Sequence, residues 1–403
     1  MVTILIALLF WLAAILFLWS YFGYPLFMFA LARRRRQQGT PLTPLAELPT
    51  LTLLIPVHNE ADVIRRKLEN CLTLDYPRDK LEILVVDDGS TDDTASIVES
   101  YSTRGITLIR QPERSGKMAA VNTGFAHASG DIVVLSDASP NYEPDSLKIL
   151  ARRFADRSVG VVVGTLRVWD SANAVAKPAG LYWRYEAALR RWESETGSTV
   201  AVHGNMFAIR KALFKPLQAG TINDEFSIAM EVLRQGYRVV YEPEAVSYDD
   251  ASATMQDEFN RRVRINAGRF QALFSAGYLQ APTFDLRFRL FSHKLLRPLT
   301  PILMLFILLC NILLVALTWQ KGINGNPVLL EGIWGMLLLL GQIGFYALAM
   351  LGWYMERRGQ RNRILNVVYY FVSSNVAALI GLWRWVRGTQ RVTWQKRSPD
   401  SGR

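Results

Sequence analysis

Cysteine and histidine are scarce. The 403 residues include two cysteines, Cys71 and Cys310, and four histidines. No CxxC, HExxH or similar cluster occurs. With Cys71 in an expected cytosolic part and Cys310 in an expected span, no disulfide is expected, and without a ligand cluster neither is a structural zinc site. The glycine patterns of nucleotide folds are missing too. Neither GxxxxGK[ST] nor GxGxxG is present, which disfavours a P-loop or dinucleotide-binding fold. There is no low-complexity stretch and no internal repeat. Charge is absent from residues 3–31, and no Lys or Arg precedes them. A cleavable signal peptide needs a basic start and a short apolar core, so this stretch does not fit one.

What is present is strongly segregated. Half the chain is apolar, and the formal net charge is +11. The apolar residues concentrate at the two ends. Residues 3–31 exceed the roughly 20 apolar residues that cross a bilayer core. Arg33, Arg34, Arg35 and Arg36 follow directly. Such a run could be taken for a nucleic-acid patch. Its position against the apolar stretch instead matches the excess of Lys and Arg at the cytoplasmic end of a span, so no nucleic-acid partner is expected. Residues 299–319 and 328–353 are also long enough to span. They are flanked by Arg287, Arg289, Lys294 and Arg297 before, and by Arg357, Arg358, Arg361 and Arg363 after. Residues 364–383 are weaker, with Ser373, Ser374 and Asn375 in the middle. A full span there would place Arg384, Arg387, Arg391, Lys396 and Arg397 outside, against the positive-inside rule, so a re-entrant or interfacial segment and a true span both stay open.

The expected organisation is an N-terminal transmembrane helix with its basic flank over 1–36 and a polar, proline-containing linker over 37–49. One soluble domain covers 50–255, and amphipathic interface helices cover 256–298. A C-terminal transmembrane region covers 299–385 and a basic tail 386–403. The soluble domain reads as alternating strands and helices. Strands are expected at 51–57, 81–88, 106–111 and 131–137, and helices at 60–74, 91–102 (capped by Ser90) and 117–128. Alternation with apolar runs predicts an α/β fold with a mostly parallel sheet covered on both faces. Ligands then bind at the carboxyl ends of the strands. Acidic and hydroxyl residues stand at those ends: His58-Asn59-Glu60, Asp87-Asp88-Gly89-Ser90 and Ser136-Asp137-Ala138-Ser139. Carboxylates converging on one edge repel unless they share a cation, and a hard divalent ion held by one or two carboxylates and a ligand's phosphates fits.

These residues resemble the family 2 glycosyltransferases, in the membrane-embedded branch that includes hyaluronan, chitin and cellulose synthases and related bacterial polysaccharide enzymes. The resemblance runs through IPVHNE (55–60), VVDDGSTDDT (85–94), SGKMAAVNTGF (115–125), LSDAS (135–139) and GNMFAIRK (204–211). It continues through INDEFSIAMEVLRQGYRVVYEPEA (222–245), NRRVRI (260–265) and the tail 375–397. It implies a GT-A (Rossmann-like) cytosolic domain, a nucleotide-sugar donor with uridine as the base, and inversion at the anomeric carbon. It also implies a glycan or lipid acceptor, a place in cell-surface polysaccharide or glycolipid synthesis, and polysaccharide-export subunits as partners. The setting would be the bacterial-type inner or plasma membrane with the catalytic domain cytoplasmic.

Carried over by position, the resemblance puts Pro56, Glu60, Asp87, Asp88, Ser90 and Lys117 at the nucleotide. It puts Asp137 and Ser139 at a Mg2+ or Mn2+ ion, and Arg261, Arg262 and Arg264 at the diphosphate. Asp224 or Glu225 would be the catalytic base. Distance to Gly236 favours Glu225 and residue type favours Asp224, so both stand. Two departures matter. The DxD metal motif is reduced to Asp137-Ala138-Ser139, and QxxRW has Asn260 and Ile265 in place of Gln and Trp. The first weakens direct metal ligation and the second weakens the case for a processive polymerase. The reduced motif also supports a rival reading, a catalytically degenerate membrane scaffold.

Four further features carry weaker expectations. His203 is expected to be structural, and Asn223 or Asp224 could merely cap the helix 225–235. Trp169, Trp183 and Trp192 could line a sugar path, but tryptophan is more often found in core or interface, where they are expected. Glu186 and Glu193 are expected on a solvated helix face.

Overall fold

Apolar runs long enough for strands, separated by amphipathic helices, build an eight-stranded mixed sheet. A computed structural model of the protein describes residues 1–36, 47–169, 176–250, 254–360 and 362–390. The strands are β1 (Leu51–Val57), β2 (Leu81–Asp87), β3 (Ile106–Arg110), β4 (Ile132–Leu135), β5 (Asn141–Tyr142), β6 (Val159–Val168), β7 (Phe207–Arg210) and β8 (Arg238–Asp249). Their order is β3-β2-β1-β4-β7-β6-β8-β5. Strands β3, β2, β1 and β4 run parallel, β7 is antiparallel to both β4 and β6, β6 and β8 are parallel, and β5 is antiparallel to β8. The sheet is thus α/β, GT-A-like and mostly parallel. Every residue of β1 is buried, as a strand covered by helices on both faces must be. Pro56 is tolerated in this central strand because β4 pairs only through Leu54–Leu135, so its missing N–H leaves no ladder bond unmade on that side.

Register places the carboxyl ends of β1, β2 and β4 on one edge. The loops there lock together. Asn59 N donates to Ser90 Oγ at 2.9 Å, and Thr91 N donates to Asn59 Oδ1 at 2.7 Å. The expected helix over 91–102 is therefore shorter, Thr94–Glu99, and Ser90 does not cap it. Its hydroxyl is committed to Asn59, while Asp92 accepts from Thr94 N at 3.0 Å. Asn59 (φ 56°) and Gly89 (φ 65°) hold the left-handed turns this interlock requires.

The chain divides into two compact units. One comprises Met1–Phe27, Thr254–Phe270 and Phe288–Gln390, and the other holds the described residues within Met28–Ala253 and Gln271–Arg287. The sheet and its main core lie in the second unit. Among the described residues, four helices are long and apolar enough to cross a membrane: Val2–Arg35, Phe284–Asn324, Ile333–Arg357 and Arg363–Val386. The protein is an integral membrane protein.

The stretch around Ser373, Ser374 and Asn375 is fully helical, within Arg363–Val386. Its polar side chains turn back onto their own helix. Ser373 and Ser374 donate to Tyr370 O, and Asn375 donates to Phe371 O at 2.9 Å. Paired this way, they do not expose unmet polar groups to an apolar surrounding. The first part of the stretch expected as amphipathic interface helices over 256–298 is an α-helix over Met255–Phe270, followed by a π-helical turn over Gln271–Ser275. Both cysteines are free and buried. Most of the 37–49 linker, and Arg391, Lys396 and Arg397 of the tail, lie outside the described residues.

Candidate active site

Two groups of residues stand at the carboxyl edge of the sheet. The first surrounds Asp88, which follows β2 and is 1% exposed. Its carboxylate accepts from Ser115 N at 2.7 Å and from Gly116 N at 2.8 Å, so it organises the loop that leads into the helix Lys117–His127. Its carbonyl accepts from His58 Nδ1 at 2.8 Å. Asp87 accepts from Ser90 N at 3.3 Å. Glu60 opens the helix Ala61–Leu72, and its backbone N–H donates to Thr94 Oγ1 at 2.8 Å.

The second group is centred on Lys117, the first residue of its helix. Lys117 Nζ lies 3.0 Å from Asp137 Oδ1, 2.9 Å from Asp224 Oδ2 and 2.8 Å from Glu225 Oε1. Asp137 comes from the loop after β4. Asp224 and Glu225 form the first turn of the helix Asp224–Arg234, where acidic groups also meet the positive end of the helix dipole. Asn223 occupies the cap position without a side-chain cap bond, so the acidic pair is not explained by capping. The contact to Asp224 Oδ2 is an ion pair off the line of a hydrogen bond. Side-chain exposure falls from 34% at Asp137 and 25% at Lys117 to 14% at Glu225 and 9% at Asp224, so the cluster is reached from one side.

One cation cannot neutralise three carboxylates in a buried site. Burial and the neighbouring Asp224 charge push the Glu225 carboxyl up to about 8, against the pull of Lys117. Burial also works to raise Asp224, but the Lys117 charge and a hydrogen bond from Glu225 outweigh it and hold Asp224 below the usual carboxylate range. Lys117 would lose basicity by burial, yet Asp137, Asp224 and Glu225 raise it well above an ordinary lysine. Within the pair, Glu225 is thus driven toward its neutral form and Asp224 is held toward its ionised form.

The loop bearing Asp137 and Ser139 is supported from below. Lys67, 1% exposed, donates to Pro140 O at 2.7 Å and lies 3.9 Å from the centre of the Tyr142 ring. Burial lowers its pKa to about 8. Arg66 reaches Ser139 O at 3.4 Å. Neither residue is singled out by sequence, because a basic residue on an amphipathic helix reads as solvated. Among the described residues, no group of three His, Cys, Asp or Glu side chains is placed to hold a metal by itself. One half-buried carboxylate, shared with Lys117, and a serine do suit a divalent ion that brings phosphate oxygens with it.

The remaining expected residues are placed as follows. Arg261 and Arg262 belong to the other unit, where both pair with Glu258 at 3.1 and 2.8 Å. Arg264 shares their helix, Met255–Phe270. His203 is structural: its Nε2 donates to Gly164 O at 3.0 Å, and burial and the Arg190 charge push it down to about 3. Glu186 and Glu193 are not solvated. Glu186 is buried 3.9 Å from Arg190, and buried Glu193 accepts from Thr199 Oγ1 at 2.7 Å and Val200 N at 3.2 Å. The helix Ala176–Glu195 turns this face inward, which a spacing of seven residues alone does not reveal. Trp183 packs edge-on against His203 and Trp192 against Phe29, whereas Trp169 is 44% exposed and stacks on Tyr248 at 4.6 Å.

Residues 52–217 match the family described as Glycosyl transferase family 2. A probable glycosyltransferase, YdaM, of Bacillus subtilis is 28% identical over 62% of this chain and 64% of its own length. The poly-beta-1,6-N-acetyl-D-glucosamine synthase of Staphylococcus aureus is 26% identical over 56% of each chain. The chain thus spans less than two thirds of the length of these curated relatives. Among solved structures, the mannosyltransferase PcManGT of Pyrobaculum calidifontis, in complex with GDP-Man and Mn2+, has the same fold. The TM-score is 0.72 with 24% identity, covering 95% of this chain and 100% of that one.

Proposed function

We propose that this chain, a member of the family 2 glycosyltransferases through residues 52–217, transfers a sugar with inversion from a uridine diphosphate sugar to a glycan or lipid acceptor. The product would be a cell-surface polysaccharide or glycolipid, made on the cytoplasmic face of the membrane with export subunits as partners. The synthase among its relatives supports the polysaccharide reading. The run Arg33–Arg36 after the first apolar helix supports the orientation.

The observation that carries the activity is the Lys117 cluster, where one ammonium and three carboxylates meet at the ligand edge of the sheet. Inversion needs a base that takes the acceptor hydroxyl proton as the hydroxyl attacks. A carboxyl group at about 8 is matched to that task near neutral pH, which selects Glu225. Asp224, more deeply buried and ionised, holds Lys117 in place and keeps Glu225 basic. Lys117 supplies positive charge close to where the leaving diphosphate develops its own.

Asp137, with Ser139, would hold the Mg2+ or Mn2+ ion that accompanies the donor, and that ion supplies charge neutralisation when bound. Asp88 shapes the 115–116 loop beside the nucleotide, with Pro56, Glu60, Asp87 and Ser90 around it. Arg264 is the arginine assigned to the diphosphate. Arg261 and Arg262 are engaged by Glu258, whereas Arg264 makes no ion pair among the described residues.

The test is to offer UDP-sugars and GDP-sugars singly to membranes holding the full chain, with and without divalent metal. Nucleoside diphosphate release and product size are then measured. Release with one donor and its loss in Glu225→Gln are expected. No turnover with any donor would favour the scaffold reading.

A further inference from the structure

Gly204 stands against the Glu225 carboxylate. A Cβ built on it would lie 2.1 Å from Glu225 Oε1, 2.7 Å from Cδ and 3.4 Å from Oε2. Its φ is not in the left-handed region, so conformation alone would admit another residue. What a side chain would meet here is the carboxylate.

Such a clash is relieved by whichever partner moves more easily, and the backbone on either side of Gly204 is held. Thr199 and Val200 bond to the buried Glu193 carboxylate. His203 bonds to Gly164 O, and Gly164 N donates to Met206 O at 3.1 Å. Asn205 donates to Asp249 at 3.0 Å, and Asn205 O accepts from Tyr142 Oη at 2.7 Å. Beyond these, β7 enters the sheet at Phe207. The Glu225 side chain has three rotatable bonds and is held only at its tip, by Lys117 and Asp224, so it is the partner that yields.

We propose that Gly204 is a positioning residue: the space left by its missing side chain is what lets the Glu225 carboxylate reach Lys117 and face the acceptor hydroxyl. This rests on the reading of Glu225 as the base. It assigns to the buried bonds of Glu193, His203 and Asn205 the task of keeping that space fixed.

The test is a double-mutant cycle on the full chain purified in detergent, with Gly204→Ala and Glu225→Asp. An aspartate ends one methylene short of the clash. Gly204→Ala alone is expected to lower kcat by about 100-fold with little change in donor KM, as a displacement near 1 Å does. In the Glu225→Asp background the same change is expected to alter kcat by no more than about twofold. Equal factors in both backgrounds, or a Gly204→Ala variant as active as the parent, would overturn the proposal.

If Gly204→Ala does not fold, Gly204→Ala/Glu225→Ala is expected to recover the elution profile and melting temperature of Glu225→Ala. Failure to recover them overturns the proposal as well. This folding readout does not depend on activity. A Glu225→Gln variant that kept full transfer would sink the base assignment and leave the steric pairing to be judged by melting alone.

Discussion

Two buried charge clusters, one in each compact unit, are built with opposite signs. In the sheet unit a single ammonium, Lys117, faces the carboxylates of Asp137, Asp224 and Glu225. In the helical unit a single carboxylate, Glu258, faces the guanidinium groups of Arg261 and Arg262. The Tyr370 hydroxyl lies 3.3 Å from Glu258 and the Tyr370 ring lies under Arg262. The second arrangement is held by attraction and ties the helix Met255–Phe270 to the helix Arg363–Val386. Gly381 makes room for it, since a Cβ there would lie 2.8 Å from Val263 O. The first cluster carries an excess of one sign and relieves it by keeping a proton on Glu225. Three carboxylates around one ammonium leave a group that titrates, whereas two guanidinium groups, which stay charged, around one carboxylate make a strut.

Breaking the first cluster should have the largest effect. Glu225→Gln keeps the shape and removes the base, and kcat should fall by roughly 100- to 10,000-fold in nucleoside diphosphate release. Glu258→Gln removes the one anion from between two guanidinium groups. Breaking such a buried pair should cost about 3 kcal/mol, the lower end of the usual range because Arg261 is 35% exposed, and should appear as a lower melting temperature.

The pH profile sharpens the contrast. Activity through Glu225 requires its ionised form, so kcat/KM should rise as pH climbs toward about 8. Lys117→Met removes the charge that favours ionisation, and the rising limb should move to higher pH. Asp224→Asn removes the charge that opposes it, and the limb should move to lower pH. Limbs that stay in place in both variants would show that another group titrates. The smallest effect belongs to Tyr370→Phe, which keeps the ring under Arg262 and loses the hydroxyl that accepts from Arg262 and donates to Glu258. About 1.5 kcal/mol is expected by thermal unfolding, with kcat unchanged.

Much of the sheet is legible along the chain, because strands buried on both faces need uninterrupted apolar runs. Strand β1 falls on 51–57 as expected. The helix after β2 is less legible, since Asn59 draws Ser90 away from capping it across 31 residues. The last apolar helix is underrated for a related reason. Composition counts Ser373, Ser374 and Asn375 as polar without showing that each bonds to its own helix. Glu193 is misjudged because its partners, Thr199 and Val200, come after the helix ends.

The sequence by itself determined the classes of element, the apolar ends and the identity of the acidic residues at the strand ends, because hydrophobic period and residue chemistry are local properties. Only the tertiary structure decided which of those acids meet. Lys117 and Glu225 are 108 residues apart, and only the folded chain brings their side chains into contact. Burial at that meeting point then sets which carboxyl keeps its proton. That outcome depends on distance and exposed surface, which a linear chain does not specify.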